Sequence, residues 1–157
     1  MKRALCILSI IFIVSSFAWG QIKIGIGLSG GVNVVGEPTA DASLTVALSK
    51  IRLYSEVGAT FTFEPELLHA FLHLDWLMVK ESLFGGLYFS TGPGVYTAFP
   101  APFKLGMRIP MFIRLLFRES PLELFISVSP TIVFLGGPGV TLPGFDVPVS
   151  LGFRFWI

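Results

Sequence analysis

Residues 146–157 read Asp-Val-Pro-Val-Ser-Leu-Gly-Phe-Arg-Phe-Trp-Ile, and their alternation decides the reading of the chain. Val147, Val149, Leu151, Phe153, Phe155 and Ile157 share one phase, while Asp146, Ser150, Gly152 and Arg154 share the other. A strand points successive side chains to opposite faces, so the segment is a strand with one apolar face and one polar, charged face.

The same period of two recurs at 22–28, 43–48, 51–63, 68–78, 83–90, 103–117 and 122–134, which gives eight strands in all. Short links fall at 49–50, 80–81 and 118–121. Longer links rich in Gly and Pro fall at 30–41, 92–102 and 135–144, with a shorter one at 64–66. Alternating short and long links is the pattern of an up-and-down membrane barrel, with turns at one rim and loops at the other. The expected fold is therefore all-β, an eight-stranded antiparallel up-and-down transmembrane β-barrel. Register agrees, because a two-residue turn pairs Leu48 with Ile51 and a four-residue turn pairs Phe117 with Leu122, each pair on the apolar face.

Composition leads to the same place. The 157 residues are 53% hydrophobic and 13% charged, where soluble domains carry roughly 25% charge. So apolar a chain excludes disorder, and its length suits one domain. Residues 82–103 and 124–145 are uncharged and long enough to span a bilayer as helices. The second, however, carries Pro130, Pro138, Pro143 and four glycines, which would leave helix backbone groups unpaired in hydrocarbon.

At the N-terminus, Lys2 and Arg3 precede an uncharged run over 4–17, followed by Ala18-Trp19-Gly20. This is the pattern of a cleaved signal peptide over 1–20, leaving a barrel domain at 21–157. Cys6, the sole cysteine, lies in the leader, so the mature chain has none. The net charge of +1 gives no pull toward nucleic acid.

Charge position carries the most information, because Lys or Arg facing lipid at mid-membrane costs about 2–4 kcal/mol. Lys23, Arg52, Glu56, Asp75, Lys104, Arg108, Arg114, Glu123, Asp146 and Arg154 all take the inward phase and are expected to form an interior charge network. The other mature charges fall in links: Glu37, Asp41, Glu64 and Glu66 at the loop rim, and Lys50, Lys80, Glu81, Arg118 and Glu119 at the turn rim. Tyr54, Phe71, Tyr88, Phe112 and Phe125 also point inward and obstruct any bore.

Ser150, Gly152, Phe155 and Ile157 fit a further pattern, polar, any, Gly, two of any kind, apolar, any, apolar. This resembles the sorting signal of outer-membrane barrels, with Ile157 where Phe or Trp is usual. The whole of 21–157 resembles the small eight-stranded outer-membrane barrels of the OmpA/OmpX/OmpW type. The resemblance implies recognition by the barrel-assembly machinery and residence in the bacterial outer membrane, in contact with its lipid. It does not select a role, since this class includes structural proteins, adhesins, narrow channels and lipid-modifying enzymes.

Chemical motifs are few. Gly25 to Gly30 spells a dinucleotide fingerprint, but 31–38 is helix-averse and no acid stands about 20 residues on. Gly27-Leu28-Ser29-Gly30-Gly31 spells a nucleophile elbow, again without the helix it needs. His69 and His73, four apart on a strand, lie about 13 Å from one another, too far for one metal. No catalytic, cofactor or metal residue is assigned. The expected function is non-enzymatic: envelope structure, or surface interaction through apolar loops at Val95, Tyr96, Phe99, Val140 and Leu142, which would meet a surface partner or a small hydrophobic solute. The alternative is a narrow outer-membrane passage for small hydrophobic solutes.

Overall fold

The computed structural model describes residues 22–36, 38–63, 66–99, 103–117, 119–137 and 139–157. The leader expected at 1–20, with Glu37, Glu64 and Arg118, lies outside the described residues. Among the described residues the regular elements are thirteen strands: β1 (Ile24–Asn33), β2 (Thr39–Leu48), β3 (Leu53–Phe63), β4 (Glu66–Trp76), β5 (Val79–Phe84), β6 (Leu87–Thr91), β7 (Gly94–Phe99), β8 (Lys104–Arg108), β9 (Met111–Leu116), β10 (Leu122–Val128), β11 (Thr131–Gly136), β12 (Gly144–Asp146) and β13 (Pro148–Trp156). All join one curled, barrel-like antiparallel sheet in the order β12-β11-β8-β7-β4-β3-β2-β1-β13-β10-β9-β6-β5. Among the described residues, no helix is long and apolar enough to cross a membrane.

Proline accounts for most of the excess over eight strands. It has no N–H and interrupts a ladder wherever it falls. The breaks β6/β7, β8/β9, β10/β11 and β12/β13 coincide with Pro93, Pro110, Pro130 and Pro148. Register does not change across them. Thr91 opposes Met111 and Gly94 opposes Arg108 on one continuing pairing; Val128 opposes Met111 and Thr131 opposes Arg108 on the next. Backbone bonds bridge the gap, from Ile109 N–H to Pro130 O and from Ser129 N–H to Pro148 O, both 3.0 Å. The β4/β5 step is a true irregularity, since Asp75 opposes Gly94 but Val79 opposes Thr91, a shift of one residue.

The two faces separate sharply. In β9 and β10, Phe112, Arg114, Glu123, Phe125 and Ser127 are buried, while Ile113, Leu124 and Ile126 are exposed. Leu28, Leu44, Val57, Leu72, Met107, Leu151 and Phe153 continue the exposed apolar face around the sheet. The buried face is polar and aromatic, the reverse of an ordinary soluble core.

Four links differ from expectation. The first turn spans 49–52, so Leu48 opposes Leu53 rather than Ile51, a slip of two residues that keeps every side chain on its face. The next turn is not at 80–81. Gly85 and Gly86, at φ 51 and 91, make a two-residue hairpin between β5 and β6, because paired positive φ angles suit glycine and match strand twist. Finally, the links expected at 30–41 and 92–102 are mostly strand: β1 runs to Asn33, β2 starts at Thr39 and β7 occupies Gly94–Phe99.

Candidate functional site

The buried face holds three layers. At the middle, Tyr54 packs edge-on against Phe112, with ring centroids 4.9 Å apart, and both lie near Phe125. Arg154, wholly buried, sets its guanidinium 4.3 Å from the Phe125 ring and 4.6 Å from that of Tyr54. Such cation–π contacts offset part of the desolvation of a buried cation. Gly152 makes room for this packing: it opposes Phe125, and a Cβ there would collide with that ring and lie 2.6 Å from the Leu28 carbonyl.

Toward the short-turn end, Glu123 gathers the cations. Arg114 donates to it through Nε at 3.0 Å and Nη2 at 2.7 Å, and Trp156 Nε1 donates at 2.9 Å. Arg154 Nη2 lies 3.1 Å from Oε1, the oxygen that also accepts from Arg114 Nε. One buried carboxylate therefore serves two guanidinia. The vestibule below, about 950 Å³, is lined by Lys23, Arg52, Lys80, Arg114, Leu77 and Trp156 among others.

Toward the loop end, Glu56 accepts from the hydroxyls of Ser29 and Ser43 and lies 3.2 Å from His73 Nδ1. Arg108 contacts His73, donates to Ser129 Oγ at 2.7 Å, and pairs with Asp75 at 3.3 Å. A smaller pocket above is lined by Asp41, His69, Tyr96, Lys104 and Asp146. Ser29 is thus held by a carboxylate, not by a histidine, and has no nucleophilic geometry. Among the described residues, no group of three potential metal ligands occurs.

The structure brings Glu56, Asp75, Arg108, Arg114, Glu123 and Arg154 together in the two buried clusters. Lys104 and Asp146 are half-buried at the loop-end pocket. Lys23 and Arg52, expected inside, are exposed at the opposite rim. Lys23 precedes β1, and Arg52 lies in the turn with φ 55. Of the expected loop residues, Val95, Tyr96 and Phe99 belong to β7: Val95 and Phe99 are exposed on its outer face, and Tyr96 lines the loop-end pocket. Leu142 is exposed and Val140 half-buried in the segment between β11 and β12. In β13, Gly152 is buried, Ser150 half-buried and Phe155 exposed, with Ile157 exposed just beyond the strand.

Sequence reasoning missed Lys80 and Asp41. Both were assigned to links, whereas Lys80 opposes buried Ser90 in the hairpin and lines the vestibule, and Asp41 sits within β2. The Gly85-Gly86 dipeptide was the available signal for the first. Moving the hairpin also puts Glu81, in the other phase of β5, on the exposed side opposite Phe89. No family model, curated protein or solved structure matches the chain.

Proposed function

We propose that the chain is a non-enzymatic integral outer-membrane protein, its sheet closed as an eight-stranded transmembrane barrel that serves envelope structure or surface interaction. The carrying observation is the inversion of faces: large apolar side chains all round the exposed side, ion pairs and hydroxyls on the buried one. Water would not tolerate so continuous an apolar surface, whereas hydrocarbon requires it.

Closure is supported by the pairings. A line drawn across the strands from Ile24 passes Leu48, Leu53 and Trp76, crosses the proline breaks at Pro93, Ile109, Pro130 and Val147, and returns to β1's extension at Val34, ten residues from its start. A stagger of this kind is what closing a tilted sheet demands.

The aromatic layer argues against the alternative of an open passage, since Tyr54, Phe112, Phe125 and Arg154 fill the middle. Surface interaction would then fall to the loop rim, where Leu142 is exposed. Washing membranes with alkaline carbonate tests the reading. Retention in the pellet until detergent is added is expected, and release into the wash would overturn it.

A further inference from the structure

We propose that the vestibule at the short-turn end is a binding site for an anionic amphiphile, a carboxylate or phosphate head carried on an acyl chain. Charge provides the first argument. Arg114 and Arg154 at its floor share the single carboxylate of Glu123, and Arg154, wholly buried and ion-paired with it, makes no hydrogen bond through any guanidinium nitrogen among the described residues. Lys23, Arg52 and Lys80 add three cations around the wall. Among the described residues these three form no ion pair: Lys80 Nζ rests over the Tyr88 ring at 4.5 Å, and Arg52 donates to the Met78 carbonyl. Against these five cations stand, among the described residues, only the buried Glu123 and, in the lining, Glu119, so an anion entering past the exposed Lys23, Arg52 and Lys80 at the rim meets a net positive charge.

The second argument is the rest of the wall. Between the cations stand Leu77, which is buried, the half-buried Trp156 ring, and leucines at the rim. The volume of about 950 Å³ lies in the range of pockets that take ligands larger than a simple ion. Charge alone would suit inorganic phosphate. Apolar wall beside charge suits a head with a tail.

The loop-end pocket is the weaker candidate, because it holds only about 70 Å³ and its lining mixes acids and bases, Asp41 and Asp146 with Lys104, instead of one sign of charge. The free edge of β5 is weaker again, because two copies paired there about a two-fold axis would insert in opposite senses in a membrane.

The inference rests on the barrel reading for the enclosure of the vestibule, so the test reads folding and binding separately. The mature chain carrying Trp76→Phe, folded in a nonionic detergent and verified by its heat-dependent gel mobility, retains Trp156 as its only tryptophan. Decanoate, a lysophosphatidylglycerol, decanol and inorganic phosphate are each titrated against Trp156 emission. We expect saturable changes with the two anionic amphiphiles, the tighter of which names the source, and at least tenfold weaker binding of decanol. The combined Lys23→Gln, Arg52→Gln and Lys80→Gln variant, with unchanged gel mobility, should lose tenfold or more in affinity for decanoate. Equal binding of decanol, displacement of decanoate by phosphate at similar concentration, or undiminished binding by the triple variant overturns the site. A sample without a heat-modifiable species contradicts the barrel itself, whereas a folded sample that binds neither amphiphile refutes the vestibule alone.

Discussion

Replacement of Glu123 should be among the most damaging single changes in the protein. Its carboxylate is fully buried, accepts three hydrogen bonds from Arg114 and Trp156, and faces Arg154 at 3.1 Å. Glu123→Ala leaves two guanidinia buried without a counter-charge. Breaking one buried pair in this way costs about 3–5 kcal/mol, so a loss of at least that size is expected here. Glu123→Gln keeps the shape and one acceptor and should cost less. Arg154→Met removes the second cation while keeping much of its stem, which leaves Arg114 and Glu123 matched one to one. The double variant Glu123→Leu/Arg154→Met leaves one guanidinium, Arg114, without a counter-charge where Glu123→Leu alone leaves two, so it should be more stable than Glu123→Leu, with a coupling of about 0.5–3 kcal/mol expected for residues in one network. Urea titration of the protein folded in lipid vesicles, read by the fraction of the heat-modifiable band, measures each value. A cost below about 1 kcal/mol for Glu123→Ala would refute the reasoning, because the cluster would then be solvated rather than buried.

Three other outcomes follow from the same picture. Ile126→Arg, on the exposed face of β10, should lose about 2–4 kcal/mol of folding stability in vesicles; a change within 0.5 kcal/mol on the vesicle urea titration would mean that this face does not meet hydrocarbon. The native protein should give no single-channel conductance in a planar bilayer, while combined Tyr54→Ala and Phe112→Ala should produce discrete steps; steps from the native protein would show that the aromatic layer does not seal it. Pro130→Ala restores a donor opposite the Ile109 carbonyl, in a pair already joined by Ile109 N–H to Pro130 O. The new bond of about 1 kcal/mol roughly offsets the lost restriction of the unfolded chain, about 0.4–1 kcal/mol. Stability should stay within about 0.5 kcal/mol and the new amide should exchange slowly, whereas exchange at the rate of an open amide would mean that the strands do not continue across the break.

Much of this was legible in the sequence because phase is a local property. In β13, Leu151, Phe153 and Phe155 against Gly152 and Arg154 needed no tertiary knowledge. The register slip at 49–52 was tolerated by the phase argument, since a shift of two leaves both faces intact. What misled was glycine and proline. Gly92-Pro93-Gly94 reads as a loop, yet Gly94 lies within a strand because Asp75 and Arg108 press against it, with Arg108 Cγ 3.0 Å from where a Cβ would stand. Breakers that serve packing cannot be told from breakers that serve turns until the partner strands are known. The members of the charge clusters were legible for the same reason as the strands, but their grouping was not. Nothing in the spacing of Glu56, His73 and Arg108 says that they meet, because their meeting depends on the pairing of β3 with β4 and on the order of the sheet beyond it.

The central claim is that this sheet closes as a barrel inside an outer membrane. Its most direct test is gel mobility of the protein recovered from separated inner and outer membranes, with and without boiling. The account predicts recovery with the outer membrane and a faster-migrating unboiled band, resistant to detergent, that converts to the full-length position on heating. Recovery in the inner membrane or the soluble fraction, or a single band unchanged by heat, would contradict it.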